Sequence, residues 1–118
     1  MEVNRKPQAV FDKSGVMENI GGDVQLLKEL LTLFLEDYPQ RLTAIHFALE
    51  NKDWQKAAME THSLKGTLSN LGAVIAKEHA ASLNKLCRSG TPVDCITPYA
   101  GLRESVEEFA QALKMDLS

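Results

Sequence analysis

The residues of this chain best suited to chemistry lie in one short segment around His62. Lys65 follows the histidine by three positions and Gly66 by four, and on a helix such positions are neighbours on one face. An imidazole would then stand beside an ammonium group, next to backbone that carries no side chain. A neutral imidazole is nucleophilic near pH 7, because its unperturbed pKa is about 6.5. The pattern suits a histidine that carries a phosphoryl group while a second protein presses against it.

Helical spacing also predicts the direction in which this histidine points. At about 100° per residue, the apolar stripe of its helix lies between about 180° and 260° from His62. We therefore expect an exposed imidazole in the middle of a helix. Gly66 lies on the same outer side, where it costs about 1 kcal/mol relative to alanine; the close approach of a partner would explain it. The stripe consists of Ala57, Thr61, Leu64, Leu68 and Leu71.

Length, charge and cysteine content bound the class of protein. The chain has 118 residues and a formal net charge of −3, which fits one domain without a general affinity for nucleic acid. Its apolar runs are too short to cross a membrane and its N-terminus lacks the apolar core of a secretory signal. Cys87 and Cys95 lack the spacing of a metal motif. We expect free thiols, a cytoplasmic location and no direct membrane insertion.

The elements that must position His62 are all predicted to be helices, since no alternating strand-like run occurs. The long helices and short connections predict an all-α fold, an antiparallel up-and-down four-helix bundle with a short additional N-terminal helix. Residues 1–11 are predicted to be a loose arm, because Pro7 argues against an early helix, and residues 12–118 to form the bundle domain. A break is predicted at Tyr38 and Pro39, and a linker around Pro92. The first predicted helix begins at 12 or 13 and ends at 20. The following helices are predicted to span 23–37, 39–51, 54–71 and 73–89, and the last is predicted to begin between 94 and 98.

The helix that follows the turn at Gly72 supplies two further candidates. His62 lies ten residues before this glycine and Asn84 twelve after it, so the two come to similar height in an antiparallel hairpin. Asn84 could accept a hydrogen bond from Nδ1–H of the imidazole and leave the lone pair on Nε2. Lys65 could compensate the charge of a bound phosphoryl group, and Arg88 could contribute at longer range.

A partner that reaches His62 needs an uncluttered surface beside it. Ser69 and Ala58 are small residues predicted to lie close to His62 on the outer side of the helix, together with Gly66. Met59 is the first candidate for an apolar rim. Further apolar candidates, if the preceding helix packs alongside, are Leu27, Leu30 and Leu31.

These residues resemble the histidine-containing phosphotransfer (HPt) domains of multistep phosphorelays. The family pattern is a histidine, then leucine-lysine-glycine, then a Gly-Ala turn, and the similarity extends over roughly residues 11 to 113. The motif stands here as His62-Ser63-Leu64-Lys65-Gly66 and Gly72-Ala73. Supporting positions are Phe11-Asp12, Gly22-Asp23 with Leu26-Leu27, Phe34-Leu35 before Tyr38-Pro39, and Leu83-Asn84.

The resemblance implies that His62 accepts a phosphoryl group from the phosphoaspartate of one receiver domain and passes it to the aspartate of another. The partners would be receiver domains of response regulators or of hybrid sensor histidine kinases. It also implies a carrier without an ATP site or a cofactor of its own, because the Mg²⁺ belongs to the receiver; we expect a monomer and not an enzyme. The chain departs from the family at Asn84, where Glu or Gln is usual, and at Thr61, where alanine often precedes the histidine. The shorter Asn84 side chain could reach the imidazole through a water.

Other interpretations of the same residues stay open at this stage. A metal site formed by His46, His62 and His79 would need three helices to converge, and no HxxxH or ExxH pair supports it. A helical interaction module could keep the bundle and lose the phosphoryl chemistry, although the intact His62, Lys65 and Gly66 favour the carrier. The sequence also fits either a standalone protein or a domain of a hybrid kinase.

Overall fold

The computed structural model describes residues 7–90 and 94–118, and these residues form helices joined by short turns, with no strand among them. The all-α fold class is thereby confirmed. None of the helices described is both long enough and apolar enough to span a membrane. The helices are α1 (Pro7–Val10), α2 (Lys13–Asn19), α3 (Val24–Glu50), α4 (Trp54–Asn70), α5 (Val74–Arg88) and α6 (Ile96–Leu117).

Four long helices, α3 to α6, form the predicted bundle. Each packs against the next, and α6 closes the bundle by packing against α3 as well as α5. The α3–α6 contacts show the antiparallel direction: the ring of Phe34 lies 5.2 Å from that of Phe109, whereas Leu42, further along α3, accepts a hydrogen bond from the earlier residue Tyr99. The fully buried side chains come from all four helices, including Leu31, Leu64, Leu83 and Phe109.

The predicted break at Tyr38 and Pro39 is wrong, because α3 runs without interruption through both residues. The buried side chains of α3 keep their helical phase on either side of the proline, with Phe34 before it and Leu42 after it. Pro39 itself is exposed, so its ring faces solvent. Burial of one continuous apolar stripe outweighs the cost of about 3 kcal/mol for a proline inside a helix.

The starts of three helices follow from capping aspartates. Asp12, Asp23 and Asp53 each accept a hydrogen bond from a backbone N–H three residues later, at distances of 3.2, 3.0 and 3.1 Å. The starts predicted for these helices, at 12 or 13, at 23 and at 54, agree with the observed starts to within one residue. After α4, Gly72 adopts a φ of +74°, the left-handed conformation that ends a helix. A Cβ at Gly72 would lie 2.8 Å from the Asp12 carbonyl oxygen, so the turn also needs a glycine for space.

The N-terminal segment is more ordered than the sequence predicts. The loose arm is wrong for residues 7–11, since Pro7 begins the single helical turn α1, a position where its missing N–H carries no cost. Phe11 packs edge-on against Phe109 at 5.7 Å, and the Asp12 N–H donates to the Gly72 carbonyl at 2.8 Å. Residues 1–6 of the predicted arm and the predicted linker at Pro92 lie outside the described residues.

Candidate functional site

His62 lies in the middle of α4 with its side chain exposed, as the helical spacing predicts. The residue before it, Thr61, is fully buried, and so is Leu64 two positions after it. Within residues 7–90 and 94–118, the imidazole has no hydrogen bond, ion pair or ring contact. Both ring nitrogens are therefore available to a second molecule.

The surface next to His62 is open at the position of the glycine. A Cβ built on Gly66 meets no atom within 4 Å, so nothing in the monomer requires a glycine there. Lys65 is half-buried, and in the described part of the chain its ammonium group forms no ion pair. The site thus offers an uncommitted cation and a flat stretch of backbone one turn from the imidazole.

A surface groove between α4 and α5 brings several of the predicted residues together. Ala58 and Met59 line it with His62 from α4, and Asn84 and Arg88 line it from α5. Met59 is 63% exposed, so the groove has an apolar wall. Ser69 is exposed two turns beyond His62 on the same side of α4 and does not line this groove. Trp54, Gln55, Cys87 and Gly90 complete the lining.

The contact predicted between Asn84 and the imidazole is not present. The Asn84 side chain is 6% exposed, and its Nδ2 donates to the Ala58 carbonyl at 2.7 Å and to Thr61 Oγ1 at 3.1 Å. No hydrogen bond among the described residues joins it to His62. The asparagine side chain bonds instead to the turn of α4 that precedes the histidine.

The side chain of Arg41 on α3, which the sequence analysis did not identify, forms hydrogen bonds to α4 on the side away from α5. Its guanidinium donates to Ser63 Oγ at 2.6 Å and to Thr67 Oγ1 at 2.9 Å, and it lies 3.7 Å from the Asp37 carboxylate. Ser63 directly follows His62, so this side-chain contact links α3 to the turn of α4 that carries the imidazole. The available signal was an Asp–Arg pair four residues apart, but it becomes visible only if α3 continues through Pro39.

The apolar rim on α3 also differs from the prediction. Leu27 and Leu31 are buried in the core and Leu30 is half-buried. Leu26 and Leu33 are the exposed leucines of this part of α3, at 36% and 61%. The sequence shows a leucine-rich stretch, but which of its members face solvent depends on how the helix rotates against its neighbours.

Charge is distributed unevenly around the groove. Residues 54–90, the α4–α5 hairpin with its turn, carry five Lys and Arg residues against two Glu, a net charge of +3, whereas the remainder of the chain carries −6. Cys87, the thiol that lines the groove, is buried; burial raises its pKa, and the neighbouring Cys95 adds to the effect, so less of the nucleophilic thiolate forms at a given pH. The imidazole of His62 is thus the nucleophile that the groove presents to solvent.

Comparison with known proteins gives a consistent picture. The family model of the Hpt domain matches residues 29–112, well over half of the chain. The phosphorelay intermediate protein rdeA of Dictyostelium discoideum is 22% identical over 107 residues, an alignment that covers 91% of this chain and 42% of the relative. The chain therefore spans about two fifths of the length of that relative. No solved structure matches.

Proposed function

Because this chain belongs to the HPt domain family, we propose that His62 takes a phosphoryl group from the phosphoaspartate of one receiver domain and passes it to the aspartate of another. The family places the chain in phosphorelay signalling, where HPt domains are phosphoryl carriers rather than enzymes with a turnover of their own. The transfer steps, the acceptor residue and the partners are our proposal.

One observation carries this proposal: an imidazole without a partner in the described structure stands on the outside of the bundle beside an open glycine. A histidine with a structural role is expected to be packed against other residues or hydrogen-bonded, as half-buried His79 illustrates: a Cβ at Gly101 on α6 would lie 3.1 Å from its Nδ1. A nucleophile that serves another protein must instead be reachable and uncommitted. His62 meets both conditions, and the absence of a side chain at Gly66 allows the second protein to approach closely.

The chemistry requires little beyond placement and charge compensation. The Nε2 lone pair attacks phosphorus in line with the aspartyl oxygen, and the phosphorus–oxygen bond breaks with its electron pair left on the carboxylate. The product is a phosphoramidate at Nε2, and the same step in reverse loads the next receiver. We propose that Lys65 compensates the charge of the phosphoryl oxygens, with Arg88 at longer range. The domain needs no ATP site or cofactor of its own in this scheme, since the Mg²⁺ belongs to the receiver.

The charge pattern supports a receiver as the partner. A receiver presents an acidic pocket, and the net charge of +3 on the α4–α5 hairpin would attract it towards the face that bears His62. Ala58, Met59, Gly66 and Ser69 would form the surface on which the receiver rests. Receivers of response regulators and of hybrid sensor histidine kinases both fit this description.

Phosphoryl transfer from a labelled receiver tests the proposal. Incubation with a phosphorylated receiver should give a label on this chain that is lost in acid and kept in base. His62→Gln should abolish it, whereas His46→Gln is the matched control, because His46 is an exposed histidine on α3 whose Nε2 lies 3.2 Å from the Glu50 carboxylate. A label that persists in His62→Gln would place the acceptor elsewhere. Receiver binding without any label would favour the non-phosphorylated interaction module.

A further inference from the structure

The orientation of the Asn84 amide is fixed by what it contacts. The Ala58 carbonyl can only accept a hydrogen bond, so the atom that faces it at 2.7 Å must be the amide nitrogen. The second hydrogen of that nitrogen is directed to Thr61 Oγ1 at 3.1 Å. Both N–H donors of the amide are therefore used by α4: one bonds to Ala58, one turn before His62, and the other to Thr61, the residue directly before it.

Thr61 completes this small network inside the bundle. Its side chain is fully buried, and its hydroxyl donates to the Ala57 carbonyl at 2.8 Å while it accepts from Asn84. A hydroxyl offers one donor and can accept as well, so both functions of this group are used. The network thus joins Thr61 of α4 directly to Asn84 of α5.

These contacts suggest that the position of α4 and the orientation of the His62 ring are set by different groups. We propose that Asn84 is a positioning residue that holds Ala58 and Thr61 of α4 against α5, and that the His62 ring is left for the docking receiver to orient. This inference rests on the proposed function of His62 as phosphoryl acceptor. The asparagine acts on the backbone that carries the histidine, and the imidazole keeps its rotational and tautomeric freedom until a partner arrives.

The tautomer of His62 in the free protein tests the second half of the proposal. Attack by Nε2 needs the tautomer with its proton on Nδ1, which a hydrogen bond from Nδ1–H to the bundle would make dominant. Side-chain ¹⁵N NMR of the unphosphorylated protein, at a pH where His62 is neutral, should show that this tautomer is not dominant. A dominant Nδ1–H tautomer in the free protein would overturn the proposal, since the bundle itself would then orient the ring.

Substitutions at the two ends of the network test the first half. Asn84→Asp keeps the shape but sets an acceptor-only carboxylate against the Ala58 carbonyl, and Thr61→Val keeps the shape but removes the hydroxyl. We expect each to lower the Tm by about 4 to 12 °C and to leave the His62 tautomer ratio unchanged. Thr61→Ser, which keeps the hydroxyl, should restore most of the Tm.

The opposite pattern would show that Asn84 acts on the imidazole. If residue 84 oriented His62, a carboxylate there would accept from Nδ1–H more strongly, so Asn84→Asp would increase the Nδ1–H tautomer and speed transfer. An unchanged Tm in Asn84→Asp would likewise contradict the proposal that Asn84 holds α4 against α5. Tautomer ratio and Tm are measured without phosphorylation. Failure of His62 to accept a phosphoryl group would therefore overturn the proposed function and leave these two results to decide the role of Asn84.

Discussion

The substitution Gly66→Ala is expected to change the stability of the bundle and the efficiency of phosphoryl transfer in opposite directions. Gly66 lies inside α4, and a Cβ at this position meets no atom within 4 Å. Alanine is therefore expected to stabilise the isolated bundle, because glycine is about 0.8–1.0 kcal/mol less favourable than alanine inside a helix. At about 2.1 cal/mol/K per residue, the entropy of unfolding of a chain of this size converts 1 kcal/mol into a rise in Tm of about 4 °C.

The same methyl group should hinder phosphoryl transfer. If a receiver packs directly on the backbone at Gly66, one added carbon must be accommodated in a tightly packed contact, which costs about 1 to 3 kcal/mol. Such a penalty corresponds to a loss of about fivefold to 150-fold in the efficiency of transfer. Gly66→Gln, with a longer side chain, should lose more while the bundle stays folded.

Two measurements on the same preparations decide the matter. Thermal unfolding followed by circular dichroism gives the change in Tm, and single-turnover transfer from a labelled receiver at varied concentration gives the change in rate and apparent affinity. Gly101→Ala is a matched control on α6, a helix that does not line the groove: its Cβ would lie 3.1 Å from His79 Nδ1, so it should gain less stability and leave transfer unchanged. A transfer rate in Gly66→Gln equal to that of the wild type would refute the idea that a receiver packs directly on the backbone at Gly66.

Three further predictions concern the bundle. Pro39→Ala should raise the free energy of unfolding in urea by about 1–2 kcal/mol, because it restores a hydrogen bond to the Leu35 carbonyl; an unchanged midpoint would contradict this. Phe109→Ala should lower it by about 3–5 kcal/mol, since Phe109 is fully buried, and a loss below 1 kcal/mol would contradict the central place of this ring. Burial raises the pKa of Cys87, so less thiolate forms at a given pH; iodoacetamide should label Cys95 first and Cys87 only at higher pH, whereas equal rates would contradict the burial.

Much of the bundle follows from local sequence signals. Asp23 and Asp53 start their helices where the sequence predicts, because an aspartate before an apolar run satisfies the free N–H groups of the first turn. Pro39 misleads, because local chemistry favours a break, whereas the decisive contribution is the burial of Phe34 and Leu42 in one continuous helix. That contribution comes from neighbouring helices, which a single segment of sequence does not reveal.

The candidate site likewise has some features that the sequence predicts and others that depend on packing between helices. The exposure of His62 and the open space at Gly66 follow from helical phase alone, and the structure agrees with both. The partners of Asn84 depend on differences of a few ångströms between α4 and α5, which helix height cannot resolve. The hydrogen bonds from Arg41 to α4 depend on the uninterrupted course of α3, so one wrong helix boundary concealed them.

The position of the phosphoryl group on the loaded protein tests the central claim most directly. We expect ¹H–³¹P correlation spectra of the protein, phosphorylated by its receiver, to show phosphorus coupled to the ring protons of one histidine, with the pattern of an Nε2 phosphoramidate. The signal should disappear in His62→Gln and persist in His46→Gln. A signal from another histidine, or an acid-stable phosphate ester on a hydroxyl group, would contradict the account.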